Sequence, residues 1–215
     1  MAHAIIALLS PKGGCGKTTL AACIAAELVK RGEPVTLIDA DPQGSLAEWH
    51  GGADSGRPLA QVPLIVDATE RAAAKAQEGA RKSIVLVDTA GFKNRTQVDV
   101  LAIADVVLIP CRPSPLDARR AQQAIEMAAT VNADRRKKAQ VAVVMNAAIR
   151  ASIVGHIRNE MVSSGARVMG SEISHRAVFA EAELYGSAPA WMGKAASKAA
   201  DEVAAVTSEL LNIMR

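Results

Sequence analysis

The stretch Ser10-Pro11-Lys12-Gly13-Gly14-Cys15-Gly16-Lys17-Thr18-Thr19 sets glycines between two lysines directly after the apolar run Ala4–Leu9. A glycine-rich turn leading from a strand into a helix exposes successive main-chain N–H groups, and the helix dipole favours negative charge there. The chemistry this specifies is phosphate binding. Lys17 is placed to reach the β- and γ-phosphates and the Thr18 hydroxyl to ligate Mg²⁺, with Gly13, Gly14, Cys15, Gly16 and Thr19 completing the loop. Lys12 is surplus to that chemistry, and read locally it is either a second phosphate cation or a solvated loop lysine. Cys15 lies between the two lysines near a helix N-terminus, where a thiolate is favoured, so ready alkylation blocked by ATP is expected.

Two further strand ends carry carboxylates. In Leu37–Ser45, Asp39 ends an apolar run and Asp41 stands two residues beyond, before Pro42. An aspartate before proline can simply shape a turn or cap a helix. Beside a phosphate loop, Asp39 suits either the Mg²⁺ shell or the local hydrogen-bond network, and Asp41 can meet the γ-phosphate and its attacking water. In Ser83–Gly91, an apolar run ends in Asp88, the place for a carboxylate acting on Mg²⁺ through water. Val141–Met145 ends at Asn146, whose amide can pair with the N6/N7 edge of adenine or serve as an ordinary strand-end turn residue. No lysine-x-aspartate follows Asn146 to read guanine, so the expected nucleotide is ATP. Asp117 reads as a helix cap.

These groups need a scaffold that brings strand ends together. Ala4–Leu9, Pro34–Ile38, Ser83–Val87, Asp105–Ile109 and Gln140–Met145 are apolar without alternation, as strands buried on both faces are. Lys17–Arg31, Thr69–Glu78, Leu116–Val131 and Ala195–Met214 read as helices, and Gly51–Pro63 as the longest loop. Strands alternating with helices specify an α/β fold with a mainly parallel twisted sheet, flanked by helices on both faces, and the whole of 1–215 reads as one domain. Ligands then bind at the carboxyl ends of the strands, where the motifs fall.

Composition narrows the class. Half of the 215 residues are apolar and only 2% are aromatic, which favours alanine-lined helices packed closely on a sheet. No apolar stretch approaches the ~18 residues of a membrane span. The N-terminal run lacks a basic leader, and Cys15, Cys23 and Cys111 form neither a disulfide framework nor a metal cluster, so a cytoplasmic location is expected. The formal net charge of +3 permits an anionic partner without demanding one.

Lys12–Thr19 resembles the deviant phosphate loop KGGxGK[ST]T of the ParA/MinD family of P-loop ATPases, and Asp39–Ser45 is similar to the second motif of its ParA branch. Pro110–Ala121 and Glu172–Pro189 resemble later segments of small plasmid-partition members, so the likeness spans essentially the whole chain. Asp88-Thr89-Ala90-Gly91 departs from the prolines many relatives carry before that glycine. The resemblance implies an ATP-sandwich homodimer in which Lys12 reaches the partner's nucleotide, with Lys12, Lys17 and Asp41 as the catalytic set. It further implies non-specific DNA binding by the ATP dimer, stimulation by a ParB-like or other adaptor, and association with the nucleoid. Arg135, Arg136, Lys137, Lys138 and Arg176 are the candidate DNA contacts, although a run such as 135–138 is also an ordinary solvated helix end. With the first strand beginning near residue 4, a helix-turn-helix for operator binding is not expected. A MinD-like membrane ATPase is the alternative, but the polar face of Asp201–Arg215 is acidic and would be repelled by anionic lipid. Reductase, arsenite-pump and ligase relatives are the other, and the first two need paired cysteines after the loop.

Overall fold

The computed structural model describes residues 3–52, 55–91 and 94–215. The elements run β1 Ile5–Leu8, α1 Lys17–Lys30, β2 Val35–Ala40, α2 Ser45–His50, β3 Leu64–Val66, α3 Arg71–Gly79, β4 Ile84–Thr89, α4 Arg95–Ile103, β5 Val106–Cys111, α5 Pro115–Asn132, β6 Gln140–Ala148, α6 Ala151–Ser163, β7 Val168–Ser174, α7 Val178–Leu184 and α8 Ser197–Ile213. The strands form one seven-stranded sheet in the order β3-β2-β4-β1-β5-β6-β7. Every pairing is parallel, as the unbroken apolar runs required.

Alternate residues of β1 feed two separate cores. Ile6 and Leu8 pack with α1, α2 and α8, whereas Ile5, Ala7 and Leu9 pack with α3, α4, α5 and α6. Alanine does the spacing: Ala21, Ala22, Ala25 and Ala26 of α1 are fully buried, so the helix lies close against the strands. The chain leaves β1 for β2 and β3, returns through β4, then crosses β1 to build β5, β6 and β7. The order therefore reverses at β1, and the crevice for a ligand opens over its carboxyl end.

Several elements lie beyond the sequence reading. β3 is only three residues long, and β7, Val-Met-Gly-Ser-Glu-Ile-Ser, is too polar to read as buried because it is an edge strand. Helices α2, α4, α6 and α7 also went unread. β2 runs on through Asp39 and Ala40, so the carboxylate lies inside the strand's end. Within the expected loop Gly51–Pro63, residues 53 and 54 lie outside the described residues, and Pro58–Gln61 forms a short 3-10 turn. Asp117 sits at the third position of α5, where it accepts from Ser114 Oγ (2.8 Å) while its N–H donates back to Ser114, the actual N-cap.

The apolar stripe of α8, Val203, Val206 and Leu210, is buried in the core shared with α1. Its acids face the edge strand. Gly170 N–H and Ser171 N–H donate to the two carboxylate oxygens of Glu209 (2.8 Å each), and Ser174 N–H and Arg176 donate to Glu202. Main-chain groups that would otherwise recruit another strand are thereby covered. Burial alone would raise both carboxylates, but the bonds they accept outweigh it and hold them below their ordinary value. A lowered pKa gives stability that is present above the unfolded value near 4.5 and is lost as pH falls through the folded one. Glu209→Gln should therefore melt lower at pH 7, by on the order of 1 kcal/mol after allowance for solvent screening. The deficit should close as pH drops below 4.5, and thermal denaturation at several pH values checks both.

Candidate active site

The phosphate loop spans the gap from β1 to α1. Gly16, at φ 100°, is the N-cap of α1 and contributes no side-chain cap, so the first N–H groups of the helix stay open toward the loop. Lys17 is buried, and its ammonium donates to the carbonyl oxygen of Lys12 at 3.4 Å. The Cys15 thiol turns toward the same oxygen, at 3.6 Å. It is also buried, which corrects the expectation of a readily alkylated thiol: Sγ is folded against the loop's own carbonyl rather than presented to solvent. Lys12 is exposed, and its ammonium has no hydrogen-bond or ion-pair partner among the described residues. The two lysines thus face different surroundings, one folded into the loop and one open to solvent.

Asp88, at the end of β4, lies beneath the loop. Thr18 Oγ1 donates to its Oδ2 at 2.6 Å, while Oδ1 is buried with no hydrogen-bond partner among the described residues. Burial, with the nearby Asp39 and Asp41 carboxylates, pushes Asp88 up to about 7 despite the Thr18 bond and the Lys17 charge. A hydroxyl and an unsatisfied carboxylate oxygen side by side are hard donors of the kind Mg²⁺ takes, so Thr18 and Asp88 fit the ion. Asp39 is also fully buried, and burial raises its pKa as well. Of its two expected roles, the structure shows the hydrogen-bond network: Oδ1 accepts from Asp41 N–H (3.1 Å) and Oδ2 from Ala47 N–H (2.9 Å). It thereby ties α2 to the sheet. Asp41 is half-buried and accepts from Gln43 N–H in a turn closed by Gly44 N–H on the Asp41 carbonyl.

Two contacts tie the loop to the neighbouring strand ends. A Cβ added to Gly91 would stand 2.6 Å from Gly13 N, so the turn after β4 needs glycine to lie against Lys12–Gly13. From β6, Asn146 Nδ2 donates to Cys15 O at 2.7 Å. The amide expected at an adenine edge is thus engaged by the loop itself.

A cavity of about 410 Å³ opens over these groups, within the size range of small-molecule sites. Gly13, Gly14, Gly16, Lys17, Thr18, Thr19, Asp41 and Asn146 line it; Lys12, Cys15, Asp39 and Asp88 do not. Its far wall comes from Arg112 after β5 and from His175, Arg176 and Phe179 around the start of α7. The sequence reading had not singled out Arg112, His175 or Phe179. Their signals were position, Arg112 directly following a buried strand, and membership of the segments Pro110–Ala121 and Glu172–Pro189 that resemble the family's.

The basic candidates divide. Arg176 borders the cavity, paired with Glu202 at 2.6 Å. Residues 135–138 precede β6 and so lie at the opposite edge of the parallel sheet. There Arg135 donates to Leu101 O, Lys137 pairs with Asp105 (2.7 Å) and Lys138 caps α5 through the carbonyls of Asn132 and Ala133. Arg136 alone of the four has no partner among the described residues.

Residues 6–190 match the family model described as the CobQ/CobB/MinD/ParA nucleotide binding domain. The chain is 30% identical over 187 residues to Protein ParA of Rhizobium radiobacter, covering 85% of this chain and 83% of that protein. It is 31% identical over 208 residues to the maintenance of carboxysome distribution protein A of Halothiobacillus neapolitanus, covering 96% and 95%. Among solved structures, the ATP complex of a substituted McdA from Cyanothece superimposes with a TM-score of 0.76 at 17% identity, covering 97% and 96%. The MinD cell division protein of Aquifex aeolicus does so with 0.74 at 20%, covering 97% of each chain. At such identities the structural likeness establishes the fold.

Asp88 carries a testable conflict between stability and chemistry. A buried acid with a raised pKa costs stability that is fully present above about 7 and vanishes as pH falls below the unfolded value of 3.8. Asp88→Asn keeps the shape and an oxygen for Thr18. Melting curves should show it at least as stable as the unsubstituted chain at pH 8, with the advantage fading toward pH 4. Mg²⁺-dependent ATP hydrolysis should nonetheless fall by about 10²-fold or more, and a variant that melts lower at pH 8 would contradict the assignment.

Proposed function

Because the chain belongs to the CobQ/CobB/MinD/ParA nucleotide-binding family and is an ATPase working with ATP and Mg²⁺, we propose that it positions cargo on DNA by an ATP-dependent dimer cycle. The observation carrying this reading is the divergence of the two loop lysines. Lys17 is buried against its own loop, where it neutralises phosphate charge within one subunit. Lys12 is exposed and is not part of its own cavity wall, so it is available to the nucleotide of a second copy, which would make assembly depend on the γ-phosphate. A cation supplied from a partner subunit acts as an arginine finger does.

Within the site, Thr18 and Asp88 would hold Mg²⁺, which supplies charge neutralisation between the phosphates. Main-chain N–H groups of the loop and Lys17 bind and orient the triphosphate. Asp41, half-buried on the cavity wall, orients the attacking water and accepts its hydrogen bond. Phosphoryl transfer needs mainly such positioning and charge stabilisation.

The cargo end of the reading has its own support. Relatives 30–31% identical carry the names ParA and carboxysome-distribution protein. Dimerisation would bring two weakly basic surfaces onto one duplex, making DNA binding ATP-dependent, non-specific and steeply salt-sensitive. Exposed Arg119, Arg136 and Arg150, without side-chain partners among the described residues, are better candidates for phosphate contact than the engaged Arg135, Lys137 and Lys138. A ParB-like or other adaptor stimulates hydrolysis, and the ATP form is cytoplasmic and nucleoid-bound. A MinD-like membrane role would require α8 to free an apolar face that is buried here.

Lys12→Ala should bind ATP as a monomer, whereas Lys17→Ala should not bind it at all. Light scattering with ATP tests the pair, and an intact Lys12→Ala dimer would remove the role in trans. Asp41→Ala should bind ATP and dimerise yet hydrolyse about 10²-fold more slowly, equivalent to roughly 2.7 kcal/mol of barrier. Steady-state ATPase rates near those of the unsubstituted chain would move the water-orienting role elsewhere.

A further inference from the structure

Among the described residues, Ala147 is the one non-glycine with positive φ, 54°. It lines the nucleotide cavity and coincides with a fault in the sheet. β6 pairs Met145 with Glu172 and Ala148 with Ser174, so β6 advances one residue more than β7 over that interval. A bulge of this kind re-aims a side chain, and backbone strain of this kind gathers at functional sites. The side chain it re-aims is Asn146. That residue is buried, and its Nδ2 donates to Cys15 O at 2.7 Å, joining positions 131 residues apart in the chain. The loop is shaped to receive it: a Cβ on Gly16 would stand 2.0 Å from Asn146 Nδ2, and Gly16 holds φ 100°. Glycine is therefore required there twice, for the backbone angle and for the amide.

We infer that Asn146 is a positioning residue whose amide braces the phosphate loop at Cys15–Gly16, and that the strained bulge at Ala147 aims it. This rests on the reading of the loop as a triphosphate cradle. A glycine-rich loop has much conformational freedom to lose when it closes on a ligand. A hydrogen bond from a core strand removes part of that freedom in advance, which is preorganisation. The bond uses the donor side of the amide, leaving Oδ1 for other partners. Asn146 acts on the phosphates through the loop, rather than on the base.

The two roles separate with ligands that carry only one end of ATP. Mg²⁺-tripolyphosphate has phosphates and no base, and adenosine has the base and no phosphate. Calorimetry on the full chain should show Asn146→Ala binding tripolyphosphate about tenfold more weakly, the scale of one lost buried hydrogen bond. Its adenosine affinity and its ratio of kcat/KM for ATP over GTP should stay within twofold. Ala147→Val retains Asn146 but places a β-branched residue at positive φ, which it cannot hold, and should show the same selective loss. Unchanged tripolyphosphate binding in both variants, or a loss confined to adenosine and to the ATP preference, would overturn the brace. If the unsubstituted chain bound neither tripolyphosphate nor ATP, the cradle reading itself would fall and the brace with it.

Discussion

Two buried carboxylates stand opposite each other at the ends of adjacent strands, because the parallel register of β2 and β4 pairs Asp39 with Asp88. Burying like charges this close is costly unless each finds its own compensation, and the two find different ones. Asp39 takes main-chain N–H groups from Asp41 and Ala47 and so fixes the turn and helix that follow β2. Asp88 takes one hydroxyl from Thr18 and keeps an unsatisfied oxygen. The first carboxylate is spent on architecture, and the second is left under-satisfied where a divalent ion would relieve it. The sheet's register thus separates a structural acid from a chemical one, although both end apolar runs of similar appearance.

The phosphate loop is held from several directions by contacts remote in sequence. Lys17 returns to Lys12 O within the loop, Gly91 from the turn after β4 lies against Gly13, and Asn146 from β6 reaches Cys15 O. Each contact meets the loop's backbone, so the loop's shape depends on strand ends on both sides of β1. A change at any of them is felt at the phosphates, and occupancy of the loop is felt at them in return. Gly91 matters particularly, because it follows the strand that carries Asp88 and abuts the peptide that carries Lys12. Movement after β4 would therefore reach the exposed lysine with a single glycine between them.

Much of this was legible beforehand. Unbroken apolar runs ending in Asp39, Asp88 and Asn146 specified a parallel sheet with chemistry at one edge, since only strands covered on both faces read that way. β7 was hidden because an edge strand need not be apolar, and its N–H groups are satisfied by α8 glutamates 28 to 39 residues away. α2 was hidden because it is six residues long and anchored by Asp39 rather than by a local cap. The role of Asn146 could be read only by half: its place at a strand end was visible, but the bulge that turns it into the loop arises from pairing with β7. The basic run 135–138 looked like a surface for DNA, yet most of it closes the end of α5 and bridges to Asp105, contacts that no local pattern announces.

The same geometry explains how a small α/β domain can be both rigid and conditional. Below the loop nearly everything is committed: α1 and α8 are interlocked through Arg31, which bonds Glu27, Ser208 and Ala204 O, and the edge strand is covered by glutamates. At the loop itself, Lys12 and Arg112 are exposed without side-chain partners among the described residues, and beneath it Asp88 lacks a partner for one oxygen. Of the buried side-chain oxygens without a partner among the described residues, Asp88 Oδ1 is the one beside the phosphate loop, where a cation the chain does not itself supply would satisfy it. A fold arranged this way draws remaining interactions from a bound triphosphate and its ion. Whatever coupling the loop transmits between the triphosphate and its ion is reciprocal, because each then changes the other's affinity by the same factor.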